Sequence, residues 1–154
     1  MRNVLARIAI GVVVTAIGAL AADNSLGTWK LNMEKSKFSP STPVQNLSTT
    51  REASDGGIKV TTTGERAGGT AINSSYVAKY DGSDSPVTGA PYDTISIKQV
   101  NANTFTYNAK KKGGKYSVTA RSVVSNDGKT MTNTIKGTNA DGKAYRATMV
   151  WNKQ

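Results

Sequence analysis

The sequence predicts an all-β protein: an antiparallel up-and-down β-barrel of about 8–10 strands with no helical lid. Three observations predict it. Turn-forming clusters recur at short intervals from Ser54 to Gly142. Between them, strict alternation puts eight of the ten aromatic residues (Trp29, Tyr76, Tyr80, Phe105, Tyr107, Tyr116, Tyr145 and Trp151) on one face with other apolar side chains, while Lys, Arg and Thr point the other way. No segment after residue 21 carries a helical period of useful length.

Residues 1–21 read as a signal peptide. Arg2 and Arg7 form a positive n-region, an apolar run leads to Leu20, and Ala19-Leu20-Ala21 offers the small residues of a cleavage site. The run is short for a membrane span, which needs ~20 apolar residues. No Cys follows it to carry a lipid, and the chain has none anywhere. Cleavage after Ala21 would leave residues 22–154 as a single barrel domain. That domain keeps 133 residues of the 154, with 18 basic and 10 acidic side chains and a net charge of +8. Such a length suffices for one core. Without disulfides, stability rests on packing and strand pairing. The expected location is periplasmic or secreted.

The turn signals Ser54-Asp55-Gly56-Gly57, Asp81-Gly82, Asn101-Ala102-Asn103, Gly113-Gly114, Asn126-Asp127-Gly128 and Asp141-Gly142 supply residues that tolerate positive φ or cap tight turns. They separate β-rich runs at 27–31, 44–51, 58–63, 70–80, 94–100, 104–110, 115–124, 130–136 and 144–151, nine strands in all. Two irregular stretches remain, 32–43 with Pro40 and Pro43, and 82–93 with Pro86 and Pro91. With no helix to cover its apolar face, the meander must close on itself. A barrel does this and removes the exposed edges, and a two-sheet sandwich is the alternative. In the barrel, the strands of Trp29 and Trp151 become neighbours.

The run Gly27-Thr28-Trp29-Lys30-Leu31 resembles the Gly-x-Trp opening of the calycins, which include the lipocalins and the intracellular fatty-acid-binding proteins. Ser25 to Asn32, Lys35 to Pro40, Asp127 to Thr132 and Lys136 to Lys143 resemble small secreted bacterial lipocalin-like proteins over nearly the whole of residues 22–154. The resemblance implies a lipocalin-like barrel. It stops short of a fatty-acid ligand: those proteins carry an inward Arg two residues before an aromatic on the last strand, and the matching pair here is Met149 and Trp151. No helical pair follows the first strand either.

The inner face also carries Ile72, Ile95, Ile97, Val118, Met131, Ile135 and Met149, beside the small Ser74, Ala78, Ala109, Ala120, Ser122, Gly137 and Ala147. Barrels of this size either fill with side chains or hold one small ligand, and large alternating with small serves both outcomes. If the interior is hollow, Ala109, Ala120 and Ala147 leave the room, and Tyr76, Tyr107, Tyr116, Asn133, Tyr145, Met149 and Trp151 are the candidate ligand-binding residues. Asn133 is the inward polar residue placed to partner a buried phenol or to contact a ligand. With no Arg at position 149, little preference for an acid over its alcohol is expected.

Catalysis is not expected. The chain has no His and no Cys, so imidazole triads, thiol nucleophiles and the usual zinc sites are out of reach. Asp55, Asp81, Asp127 and Asp141 each precede Gly in a turn, and no pair of carboxylates shares the inner face. Asp81-Gly82-Ser83-Asp84 with Asp93 fits no established calcium loop, so no metal or cofactor is expected. The basic residues Lys30, Lys59, Lys79, Lys98, Arg121, Lys136 and Arg146 are scattered over the outer face without aromatics between them, unlike a nucleic-acid groove. Lys110, Lys111, Lys112 and Lys115 cluster at one hairpin tip. They read as a solvated loop, with an anionic envelope surface as the alternative partner.

Two functions of different class follow. One is an exported, monomeric carrier holding a small apolar or amphipathic molecule in its interior. The other is a non-enzymatic envelope interaction protein or inhibitor with a filled barrel, acting through its loops and basic outer face.

Overall fold

The computed structural model describes residues 22–154. Ten strands follow one another: β1 (Gly27–Ser39), β2 (Val44–Ser54), β3 (Gly57–Arg66), β4 (Ala71–Lys79), β5 (Asp81–Thr88), β6 (Thr94–Asn101), β7 (Thr104–Lys110), β8 (Ser117–Val124), β9 (Thr130–Thr138) and β10 (Ala144–Lys153). Each pairs antiparallel with its neighbours in sequence, and β1 pairs with β10 to close the barrel. There is no helix among the described residues. Closure sets Leu31 opposite Trp151 and Trp29 opposite Lys153, so the terminal strands do meet and both indoles join one buried cluster. The expected signal peptide, residues 1–21, lies outside the described residues.

Alternation carries through to burial. Along β8, Val118, Ala120, Ser122 and Val124 are buried while the residues between them are exposed. The buried apolar residues form two clusters rather than one. Trp29, Leu31, Val44, Leu47, Met131 and Trp151 belong to the first, and Ile58, Val60, Ile95, Ile97 and Val118 to the second. Ile135 and Tyr145 pack against both.

Two stretches expected to be irregular are strand. The first strand runs on to Ser39, past a register shift between Asn32 and Lys37. Ser36 makes this workable: its hydroxyl donates to the Asn32 carbonyl at 2.7 Å and accepts from the Val150 N–H at 3.0 Å, replacing ladder bonds that the shift removes. The second is β5, a strand beyond the nine expected, in a stretch read as a proline-broken loop. It meets β4 only at Ser75–Thr88 and Tyr76–Val87, and it reaches β6 across another register shift, between Asp81 and Asp84. Val87 is its only buried apolar side chain. Ladder geometry, not hydrophobic patterning, makes this segment a strand.

An up-and-down meander sends alternate turns to opposite ends. The end holding the β2–β3, β4–β5, β6–β7 and β8–β9 turns is plugged by residues 22–26. The Gln99 amide donates to the Ala22 carbonyl at 2.8 Å, the Asn24 N–H donates to the Ala102 carbonyl at 3.0 Å, and the Asn24 and Asn103 side chains bond to each other.

Candidate functional site

The plugged end is locked by a buried polar knot. Ser25 is fully buried. Its N–H and hydroxyl donate to Asp23 Oδ1 at 2.8 and 2.6 Å, its carbonyl accepts the Trp29 indole N–H at 2.8 Å, and its hydroxyl accepts from Arg51 Nε at 3.2 Å. The Tyr80 hydroxyl donates to the other Asp23 oxygen, and its ring packs against Phe105 with centroids 5.4 Å apart. Lys153 covers the Trp29 ring, 5.2 Å from its centroid. Every polar group of Ser25 is thereby satisfied, which is what a fully buried serine requires.

Above the knot the barrel is hollow. A cavity of about 230 Å³ separates the two apolar clusters and reaches the opposite end, where Pro43, Arg66, Ala90, Pro91 and Tyr92 line it. Tyr76, Tyr107, Tyr116, Asn133, Tyr145, Met149 and Trp151 all line this cavity, as does Ala109. Ala120 and Ala147 are buried in the wall without lining it, so the room expected beside them is taken by their neighbours. Asn133 does not partner a phenol as expected: its Oδ1 accepts from the Ser122 hydroxyl at 2.8 Å, because the two residues face each other across β8 and β9. That bond leaves the amide N–H groups of Asn133 as donors.

Burial raises the pKa values of the lining phenols. Desolvation lifts Tyr76, Tyr92, Tyr107, Tyr116 and Tyr145 above the usual value, Tyr116 to about 12. For Tyr92 the neighbouring phenols Tyr76, Tyr107 and Tyr116 add to that shift, whereas Arg51 partly opposes it at Tyr76. At neutral pH these are uncharged hydroxyls, able to donate as well as accept.

Arg51, Arg66 and Tyr92 are among the lining residues that escaped the sequence reading. Arg51 takes no face from alternation alone, because Val44 and Leu47 are three apart and imply opposite phases for β2. The register shift between Val44 and Asn46 settles the phase, so Leu47, Thr49 and Arg51 turn inward. Arg51 overturns the expectation of an interior without a cation. Arg66 reaches the mouth from the end of β3. Tyr92 sits on the loop after β5 and stacks on Tyr116, with centroids 5.4 Å apart and planes at 26°. Gly89 lets that loop approach. Its φ is +75°, and a Cβ there would lie 1.9 Å from the Asn73 carbonyl oxygen.

At the open end, Lys110 pairs with Asp84 at 2.8 Å and Lys111 with Asp93 at 3.3 Å. Asp93 also accepts the Lys112 backbone N–H at 3.0 Å, which with Thr94 and Lys111 holds its carboxyl below the usual carboxylate range. Two members of the lysine cluster are thus engaged within the chain. Asp81 accepts from the Ser83 N–H and hydroxyl in a local turn.

A closed antiparallel ten-strand barrel around such a cavity is a calycin-like fold. One solved structure agrees. A zebrafish ileal bile acid-binding protein complexed with cholic acid superposes with a TM-score of 0.50 at 10% identity, covering 86% of this chain and 100% of that one. A redesigned β-barrel, mFAP1, bound to DFHBI, superposes with a TM-score of 0.46 at 11% identity, covering 88% of this chain and all of its own. No family model matches the sequence, and no curated protein matches it.

Proposed function

We propose that this protein is an exported, non-enzymatic carrier that holds one small apolar or amphipathic molecule inside its barrel. The cavity carries the reading: it lies between two apolar clusters and is walled mainly by aromatic and aliphatic side chains with few polar groups, the usual make-up of a small-molecule site. The zebrafish protein of similar fold is a binding protein that holds cholic acid. A hollow interior favours the carrier over a filled barrel working through its outer face. The cavity lining holds no carboxylate, His or Cys, which supports binding without catalysis. The leader-like residues 1–21 support a periplasmic or secreted location.

The experiment is fluorescence titration of the folded protein with an uncharged environment-sensitive dye such as N-phenyl-1-naphthylamine. Saturable enhancement at about one site per chain is expected for one interior pocket. No enhancement, with no displacement by other apolar compounds, would overturn the carrier.

A further inference from the structure

The cavity is electrostatically one-sided. Arg51 and Arg66 line it, and no Asp or Glu does. Among the described residues no carboxylate lies within salt-bridge distance of Arg51, whose Nε is spent on Ser25 while its guanidinium lies beside the Tyr76 hydroxyl. Arg51 is half-buried, with Leu47, Val60 and Met131 also in the cavity wall. A cation in such surroundings is costly unless an anion or several acceptors face it.

A second observation, independent of the charge, concerns hydrogen bonding. The Trp151 indole N–H is buried and has no partner among the described residues, although the ring lines the cavity. Buried donors are seldom left unpaired. That N–H is closed off from the cavity space itself, so the donors a guest meets are the guanidinium and the Asn133 amide, which a ligand offering acceptors would satisfy.

Size and shape narrow the chemistry further. The cavity of about 230 Å³ is smaller than the usual small-molecule site of ~300–1,000 Å³. A cavity at this lower end favours a small guest over a large one. A steroid or long alkyl chain would have to protrude through the open end past Tyr92. The stacked pair Tyr92 and Tyr116, with Tyr76 and Tyr107, offers ring faces suited to a planar guest.

We propose that the cavity is a site for a small aromatic monoanion, with its carboxylate or equivalent oxyanion held by Arg51 and its ring lying among the tyrosines. This rests on the carrier reading and deepens it. Arg51 reads the charge, and Ser25, itself fastened by Asp23, is a positioning residue that fixes the guanidinium through Nε.

The test compares 2-naphthoate with its uncharged isosteres 2-naphthamide and 2-naphthalenemethanol, and with palmitate, by calorimetric titration of the purified protein. The acid should bind on the order of ten- to a hundredfold more tightly than the amide, as expected when a charged partner is removed from a hydrogen-bonded pair. In Arg51→Gln that ratio should fall to about one, and Arg51→Lys should retain part of it. Ser25→Ala should lower the ratio without reversing it. Equal affinity for acid and amide in the wild type overturns the anion site and leaves the carrier standing. Failure of all four compounds and of the neutral dye overturns the carrier itself. A preference that persists in Arg51→Gln overturns the assignment to Arg51, and palmitate binding far more tightly than naphthoate overturns the size argument. Should Arg51→Gln fail to fold, the wild-type series and Arg51→Lys still decide.

Discussion

The indole N–H of Trp29 donates to the carbonyl of Ser25 at 2.8 Å, whereas the indole N–H of Trp151, in the same buried cluster, has no partner. The two rings therefore answer differently to substitution. Trp29→Ala removes a fully buried ring and frees the plug, and should destabilise by ~3 kcal/mol or more in urea unfolding. Trp151→Phe keeps a large ring and deletes only an unsatisfied donor, so its cost should stay within ~1.5 kcal/mol.

Ala109 is buried and lines the cavity, while Ala120 and Ala147 are buried without lining it. Ala109→Phe should therefore fill the space and abolish dye binding, with the β-type circular dichroism spectrum retained. At Ala120 and Ala147 the same enlargement meets packed wall and should cost ~1–3 kcal/mol in stability. Loss of dye binding at all three with equal stability would show that the space is distributed differently.

The tyrosines make the barrel sensitive to alkali. Their folded-state pKa values are raised, Tyr116 to about 12, above the unfolded value near 10, so the folded state holds their protons more tightly. Their contribution is intact below pH 10 and declines as pH rises from there towards 12, by ~1.4 kcal/mol per pH unit for each such group. Denaturant midpoints should fall across that window. Tyrosinate absorbance near 295 nm should rise together with unfolding rather than before it.

Asp23 holds the Ser25 N–H and hydroxyl and the Tyr80 hydroxyl at once. Asp23→Ala should leave partly buried donors unmatched and cost ~1–3 kcal/mol in urea unfolding. The same variant should loosen Arg51 through Ser25, seen as a weaker selectivity for the acid over the amide.

Export predicts a mature chain that begins near Ala22, the residue whose carbonyl accepts from Gln99. Intact-mass analysis of protein recovered outside the cytoplasm should show residues 1–21 removed, and retention of Met1 would contradict the leader.

Alternation and turn chemistry by themselves determined the all-β class and the inward face of eight aromatics, and favoured closure of the first strand on the last over a two-sheet sandwich, because a side-chain period of two and a helix-free apolar face leave few other arrangements. They also marked Tyr76, Tyr107, Tyr116, Asn133, Tyr145, Met149 and Trp151 as interior, which is where these residues lie. Only the tertiary structure decided the rest. Strand β5 has one buried apolar side chain and otherwise polar, Gly and Pro residues, so it exists through pairing with β6 and not through a pattern of its own. The inward turn of Arg51 depends on an irregularity in β2 that shifts the phase by one residue, and such a slip exchanges the faces of every residue beyond it. Tyr92 reaches the interior from a loop, where no periodicity applies, and the plug of residues 22–26 is held by partners as far as 79 residues away in sequence. Whether the barrel is hollow was likewise invisible in composition, since the volume left over depends on how facing side chains from opposite walls meet, a property of three-dimensional packing alone.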